Sequence, residues 1–134
     1  CIHSIEELAE AAEHNRYAKY LLREIERTNA AVHALERGKD ALFRTLLECS
    51  TKDFLDMAGR EAKHLKILYQ IAAPISCGCK VVEGAGLFCF VPNAETDTFL
   101  DRVHSAYQKK AGTSPAFYIG EMTESGEVSD IKTE

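Results

Sequence analysis

Tyr17, Leu21, Ile25, Thr28, Val32 and Leu35 recur at steps of three and four residues, the spacing that stacks side chains along one face of a helix. The run predicts a long amphipathic helix over about 15–37, ended by Gly38 in the left-handed conformation. Before it, Ile5, Leu8 and Ala12 carry the same period behind Ser4, whose spacing to Glu7 is that of a capping box, so a short lead-in helix is expected. After Gly38 the period resumes through Leu42, Phe43, Leu46 and Leu47, and Phe54, Leu55 and Met57 extend the apolar face past Ser50, predicting a second helix, either continuous or interrupted. A further helical run begins after Gly59, with Ala62, Leu65, Leu68, Tyr69 and Ala72 on one side, and Pro74 forbids its continuation.

The pattern changes at Ile75. Two extended apolar runs, 76–83 and 87–91, flank Gly84-Ala85-Gly86 and close at Pro92, which reads as an antiparallel hairpin. Phe99, Leu100, Val103 and Tyr107 mark a helix over about 94–111 that stops at Gly112, and 116–122 and 127–131 read as two more strands around Ser125-Gly126. The expectation is one α+β domain over residues 1–134, with helices packed on one face of a small antiparallel sheet of about four strands.

With 134 residues, 46% of them hydrophobic, the chain is long enough to bury about two thirds of its unfolded surface in a single core. A formal net charge of −5 with interspersed signs gives no footing for nucleic acid or an anionic membrane. No apolar run reaches the roughly 18 residues of a membrane span and no signal peptide opens the chain, so a cytoplasmic protein is expected. The start at Cys1, without methionine and almost directly in a helix, reads as a piece of a longer polypeptide.

The five cysteines sit in apolar contexts such as Leu87-Phe88-Cys89-Phe90, which favours reduced thiols packed as small hydrophobes. Cys77 and Cys79 form a C-x-C pair that on a strand would share one face and could seed a metal or redox site. No second cluster supports that reading, and no metal ligands are assigned. His3, His14, His33, His64 and His104 are scattered without a nucleophile partner, so no catalytic residue is assigned either. Glu24, Glu26 and Arg27 lie within one helical turn and suit a local ion pair worth a few tenths of a kcal/mol. The turn Gly84-Ala85-Gly86 is the one local feature suited to a phosphate, because residues without a bulky side chain let backbone N–H groups approach an anion. Read alone it is a hairpin turn, and Lys80 nearby is a solvated lysine.

Five segments change that picture. Residues 16–28, RYAKYLLREIERT, resemble the galactokinase stretch R-R-A-x-H-V-V-x-E-N-x-R-T, keeping Glu24, Arg27 and Thr28 and placing Ile25 at the family Asn. Residues 34–50 are similar to A-L-x-x-G-D-x-x-x-F-G-x-L-M-x-x-S through Ala34, Leu35, Gly38, Phe43, Leu46, Leu47 and Ser50. Gly84-Ala85-Gly86-Leu87 resembles the start of T-G-A-G-F-G-G-C, the third motif of the GHMP kinases. Tyr107 to Gly112 and Phe117-Tyr118-Ile119 resemble the family ending Y-x-x-x-T-G and F-Y-V, and Cys1 with the acidic helix after it fits the L-C-D-V-T linker. The chain departs from the pattern in four places. Glu83 stands where the family has Thr, the second glycine pair is missing, the upstream Arg becomes Val81 or shifts to Lys80, and of the S-H-x-S block Ser50 remains with Thr51 and Asp53.

The resemblance implies the C-terminal domain of a galactokinase-like sugar kinase of the GHMP superfamily. It implies Mg-ATP as phosphoryl donor, bound mainly by an N-terminal kinase domain of the same polypeptide, and a sugar acceptor, with galactose first in line. Gly84, Ala85 and Gly86 are the cofactor-binding positions it carries over, and the chain alone is expected to be inactive. Two alternatives stand beside it: a degenerate, non-catalytic relative that senses sugar or binds protein, and a free-standing α+β module that oligomerises through its sheet or long helix.

Overall fold

The computed structural model describes residues 4–122 and 128–133. The first half is helical, as the periodicity predicts. Helix α1 spans Ile5–Ala12 behind Ser4, whose hydroxyl accepts the Glu7 N–H at 3.2 Å. Helix α2 spans Arg16–Glu36 and opens on Asn15, whose Oδ1 accepts the N–H groups of Tyr17 and Ala18 at 2.9 and 3.2 Å. Its far end closes through Gly38, at φ +65, which donates to Leu35 O at 3.1 Å while Lys39 donates to Ala34 O at 2.8 Å. That pair of bonds satisfies the last carbonyls and reverses the chain, which a left-handed glycine makes cheap.

Helix α3, Asp40–Ala58, is continuous through Ser50, which settles whether the second helix is interrupted. Ser and Thr break helices when their hydroxyls compete for local backbone groups. Here Ser50 and Thr51 point inward and find partners on other elements instead, so the helix continues. A 3₁₀ turn, Gly59–Ala62, leads into helix α4, Lys63–Ala72, and Pro74 lies in a second 3₁₀ turn, Ala73–Ile75, that ends the helical half.

Strands β1 (Gly78–Val82) and β2 (Gly86–Phe90) form an antiparallel hairpin with Cys79 opposite Cys89 and Val81 opposite Leu87. Helix α5, Thr96–Ala111, follows and stops before Gly112, and β3 (Phe117–Met122) pairs with β4 (Val128–Thr133) in a second hairpin. The Ser125-Gly126 turn, Cys1 and His3 lie outside the described residues. The chain is thus α+β, but its four strands divide among the described residues into two separate two-stranded sheets rather than one sheet of four. The physical reason is visible at the outer edge of β1, where α3 takes the place a third strand would need. The fully buried Thr51 hydroxyl accepts the Val81 N–H at 3.1 Å and donates to Cys79 O at 3.3 Å, so a helix side chain satisfies the strand edge.

The core lies on one face of the first hairpin, the face that carries Cys79 and Val81. Tyr69, Ala72, Cys79, Phe99 and Val103 form one cluster, joining α4 and α5 to the sheet. Phe54, Ala62 and Val81 form the other, joining α3 to it, and Leu55 and Leu87 pack against both. No helix among the described residues is long and apolar enough to cross a membrane.

Candidate functional site

The two chemistry-bearing parts of the first hairpin differ in kind: a stem held by charges and an exposed tip. In the stem, alternation along β1 sends Cys79 and Val81 into the core and turns Lys80 the other way, toward α2 and α3. Lys80 is therefore not a freely solvated lysine. Its ammonium meets the Glu24 carboxylate at 3.0 Å and donates to the Ser50 hydroxyl, which in turn donates to Glu24 at 2.9 Å. Glu24 also takes the Arg27 guanidinium at 2.6 Å, and Arg27 reaches across to Asp53, which Arg23 approaches at 3.5 Å. The Glu24–Arg27 pair expected from the sequence is present, but as one link of a seam through α2, α3 and β1.

The charges in this seam fix one another. Burial opposes ionisation of Glu24, but hydrogen bonds from Ser50, Lys80 and Arg27 and the Lys80 charge outweigh it and hold the carboxyl below its ordinary value. Burial likewise opposes the Arg27 charge, and the hydrogen bonds to Asp53 and Glu24 more than restore it. Tyr20, stacked edge-on against Phe54 at 5.9 Å, is pushed up to about 12 by burial and by the neighbouring Glu24 charge. Between α1 and α2 a shallow open groove lined by Leu8, Leu21, Ile25, Thr28 and Asn29 reaches the seam at Glu24.

The tip carries Gly84, Ala85 and Gly86. Ala85 N–H donates to Val82 O at 3.0 Å to close the turn, and Gly84 sits within it at φ +76. A Cβ added at Gly84 or Gly86 would meet nothing within 4 Å, so these glycines serve the backbone angle and not a tight contact. Gly84 and Ala85 are exposed, and one of the N–H groups a phosphate would need is already committed to the turn. Glu83 adds a carboxylate beside the tip, and the Tyr17 hydroxyl donates to it at 3.4 Å. Burial and then that carboxylate raise the Tyr17 pKa. The tip alone is a poor fit for triphosphate; an anion there needs donors from another element.

Two expectations about cysteine change. Cys77 and Cys79 do not share a face: Cys77 is exposed and Cys79 buried. Cys77 precedes β1, in the bend where its N–H donates to Phe90 O at 2.8 Å, so strand alternation does not extend to it. The neighbour of Cys79 is Cys89, across the hairpin, with the two sulfurs 3.1 Å apart. The equal offsets of Cys79 and Cys89 from the Gly84-centred turn carried that signal in the sequence. Among the described residues no group of three or more His, Cys, Asp and Glu is placed to hold a metal ion.

No family model, curated protein or solved structure matches the chain.

Proposed function

We propose that this chain is the C-terminal domain of a galactokinase-like sugar kinase, with the GHMP C-terminal fold. In this reading it forms one wall of a cleft in which Mg-ATP phosphorylates a sugar, galactose foremost, in the cytoplasm. The observation that carries the reading is the seam. Glu24 and Arg27 come from the first segment that resembles the family, Ser50 from the second, and Lys80 from just ahead of the third. Segments matched separately along the chain meet at hydrogen-bonding distance across as many as 56 residues. The Lys80 pairing with Glu24 and the burial of Val81 support reading Lys80 as the shifted counterpart of the family's upstream Arg.

On this reading the seam is architecture. It fixes the hairpin against α2 and α3 and so presents Gly84-Ala85-Gly86 at an exposed tip. Such a tip closes a cleft against an N-terminal kinase domain, which supplies the phosphate donors, the catalytic groups and most contacts to the sugar. Phosphoryl transfer depends on positioning and charge neutralisation, so a wall that sets the height of one loop contributes to it without touching the reacting atoms.

Glu83 favours a second reading, a non-catalytic relative. A carboxylate about 4 Å from a phosphate charge, at an effective dielectric near 20, opposes it by about 4 kcal/mol before screening. The test is galactose-dependent ADP release from Mg-ATP by the polypeptide in its natural reading frame, wild type against Glu83→Thr. Turnover by the wild type supports the kinase; turnover only in the variant supports the disabled relative. An open reading frame with no kinase portion ahead of this chain overturns both.

A further inference from the structure

Cys79 and Cys89 stand directly opposite each other in the antiparallel hairpin, and their sulfurs are 3.1 Å apart. The pairing type follows from Thr51. Because Cys79 O and Val81 N–H turn outward to the Thr51 hydroxyl, they do not face β2, and Cys79 and Cys89 form a non-hydrogen-bonded pair. Pairs of that type bring Cα atoms to about 4.5 Å, inside the range a disulfide spans, with side chains on the same face. Nothing in the backbone has to move for the two sulfurs to bond.

We propose that Cys79 and Cys89 are a reversible oxidation site, closed by a small peroxide to a disulfide across the hairpin stem. Cys79 is the attacking sulfur. It shares hydrogen bonds with Cys89 and with the Ser76 hydroxyl at 3.0 Å. The bond with Cys89 draws its pKa down against the effect of burial, with Ser76 and the Arg44 charge assisting, while the same bond and burial push Cys89 up. The thiolate is the reactive form, and the Ser76 hydroxyl, 3.0 Å from the Cys79 sulfur, is placed to donate to one there, so the roles divide: Cys79 reacts and Cys89 resolves. Cys79 is only 4% exposed and Cys89 partly exposed, which admits a peroxide and excludes a bulky disulfide oxidant.

The chemistry balances in two steps. The Cys79 thiolate attacks one peroxide oxygen, the O–O bond breaks, and hydroxide leaves to become water, giving a sulfenic acid two electrons more oxidised. The Cys89 sulfur then loses its proton, attacks the Cys79 sulfur and displaces the sulfenic oxygen as a second water. Two thiols and one hydrogen peroxide become one disulfide and two waters. A reducing thiol reverses the product by exchange.

This site stands whether or not the kinase reading holds, since it rests on the stem alone. The experiment treats the native protein with equimolar hydrogen peroxide, blocks remaining thiols with iodoacetamide, digests with trypsin and locates the linkage by mass spectrometry. Cleavage after Lys66, Lys80 and Arg102 puts Cys79 in peptide 67–80 and Cys89 in peptide 81–102. The expected product is these two peptides joined through Cys79, lost on dithiothreitol treatment. In Cys89→Ser the link disappears and a dimedone adduct forms at Cys79. Linkage through Cys77, oxidation confined to Cys49 and Cys77, or full alkylation of Cys79 and Cys89 in the wild type overturns the proposal.

Discussion

Replacing Thr51 with valine isolates one hydroxyl group with almost no change of volume. In the native protein that hydroxyl accepts the Val81 N–H and donates to Cys79 O, and the side chain is fully buried. Valine leaves a buried N–H without a partner, which costs about 1–3 kcal/mol because water cannot replace the lost bond. The carbonyl loses a longer bond, 3.3 Å, so it adds about 1 kcal/mol or less. The sum is about 1–4 kcal/mol. Urea unfolding followed by circular dichroism reads it directly: with a slope of about 2 kcal/mol per molar, the midpoint falls by roughly 0.5–2 M. Thr45→Val is the control, since the Thr45 hydroxyl bonds its own helix at Ala41 O on an exposed face, and its expected effect is within about 0.5 kcal/mol. If Thr51→Val is as mild as Thr45→Val, the edge of β1 is not held by this hydroxyl and the account of why α3 replaces a third strand fails.

Lys80→Met keeps the stem packing but leaves Glu24 short of one cation. With side chains 34% and 18% exposed the pair lies between surface and buried cases, and a loss of about 1–3 kcal/mol in urea unfolding is expected. Glu24→Gln tests the same seam through pH. The folded carboxyl titrates below its ordinary 4.5, so its stabilisation is present above that value and is lost as pH falls through the folded pKa. The gap between wild type and Glu24→Gln therefore stays constant from pH 7 to about 5 and narrows in stronger acid. Tyr20 gives the opposite limb: raised from 10 to about 12, it stabilises fully below pH 10 and loses that contribution as pH rises toward 12. Unfolding between pH 9 and 11.5 should fall more steeply for the wild type than for Tyr20→Phe. Gly38→Ala forces a Cβ into the left-handed region, and a melting shift equivalent to about 1 kcal/mol is expected.

Helices are legible in the sequence because each writes its period into at least two turns of residues. The end of α2 was legible at Gly38, because one residue type almost alone tolerates the required φ. The continuity of α3 through Ser50 is not legible, for the complementary reason. Ser50-Thr51 has the same local chemistry whether its hydroxyls turn to their own helix or to Glu24 and Cys79, and only the tertiary partner decides. Sheet membership was lost in the same way, since alternation marks a strand but not its neighbour. At the candidate site, the sequence named Gly84, Ala85 and Gly86 and the Glu24–Arg27 pair, all local features. Lys80 reads as solvated because its partners are 56 and 30 residues away, and the Cys79–Cys89 pairing is legible only once the offsets from the Gly84-centred turn are taken as the hairpin register.

The stem of the first hairpin is tied to α3 twice, by Thr51 at the strand edge and by Ser50 through Lys80, and these are neighbours in sequence. Adjacent helical residues point about 100° apart, so one ties the backbone of β1 and the other the side chain that leaves its opposite face. Two attachments in different directions remove the hinge that either alone would leave. Rotation of the strand about its own axis would stretch the Lys80 tie, and sliding along it would break the Thr51 tie. The tip is therefore constrained at its base in two directions, and its position relative to α2 depends on α3. A substitution at Ser50 or Thr51 should move Gly84-Ala85-Gly86 relative to anything that packs on α2, which makes two buried hydroxyls, far from the glycines in sequence, the determinants of where the loop is presented.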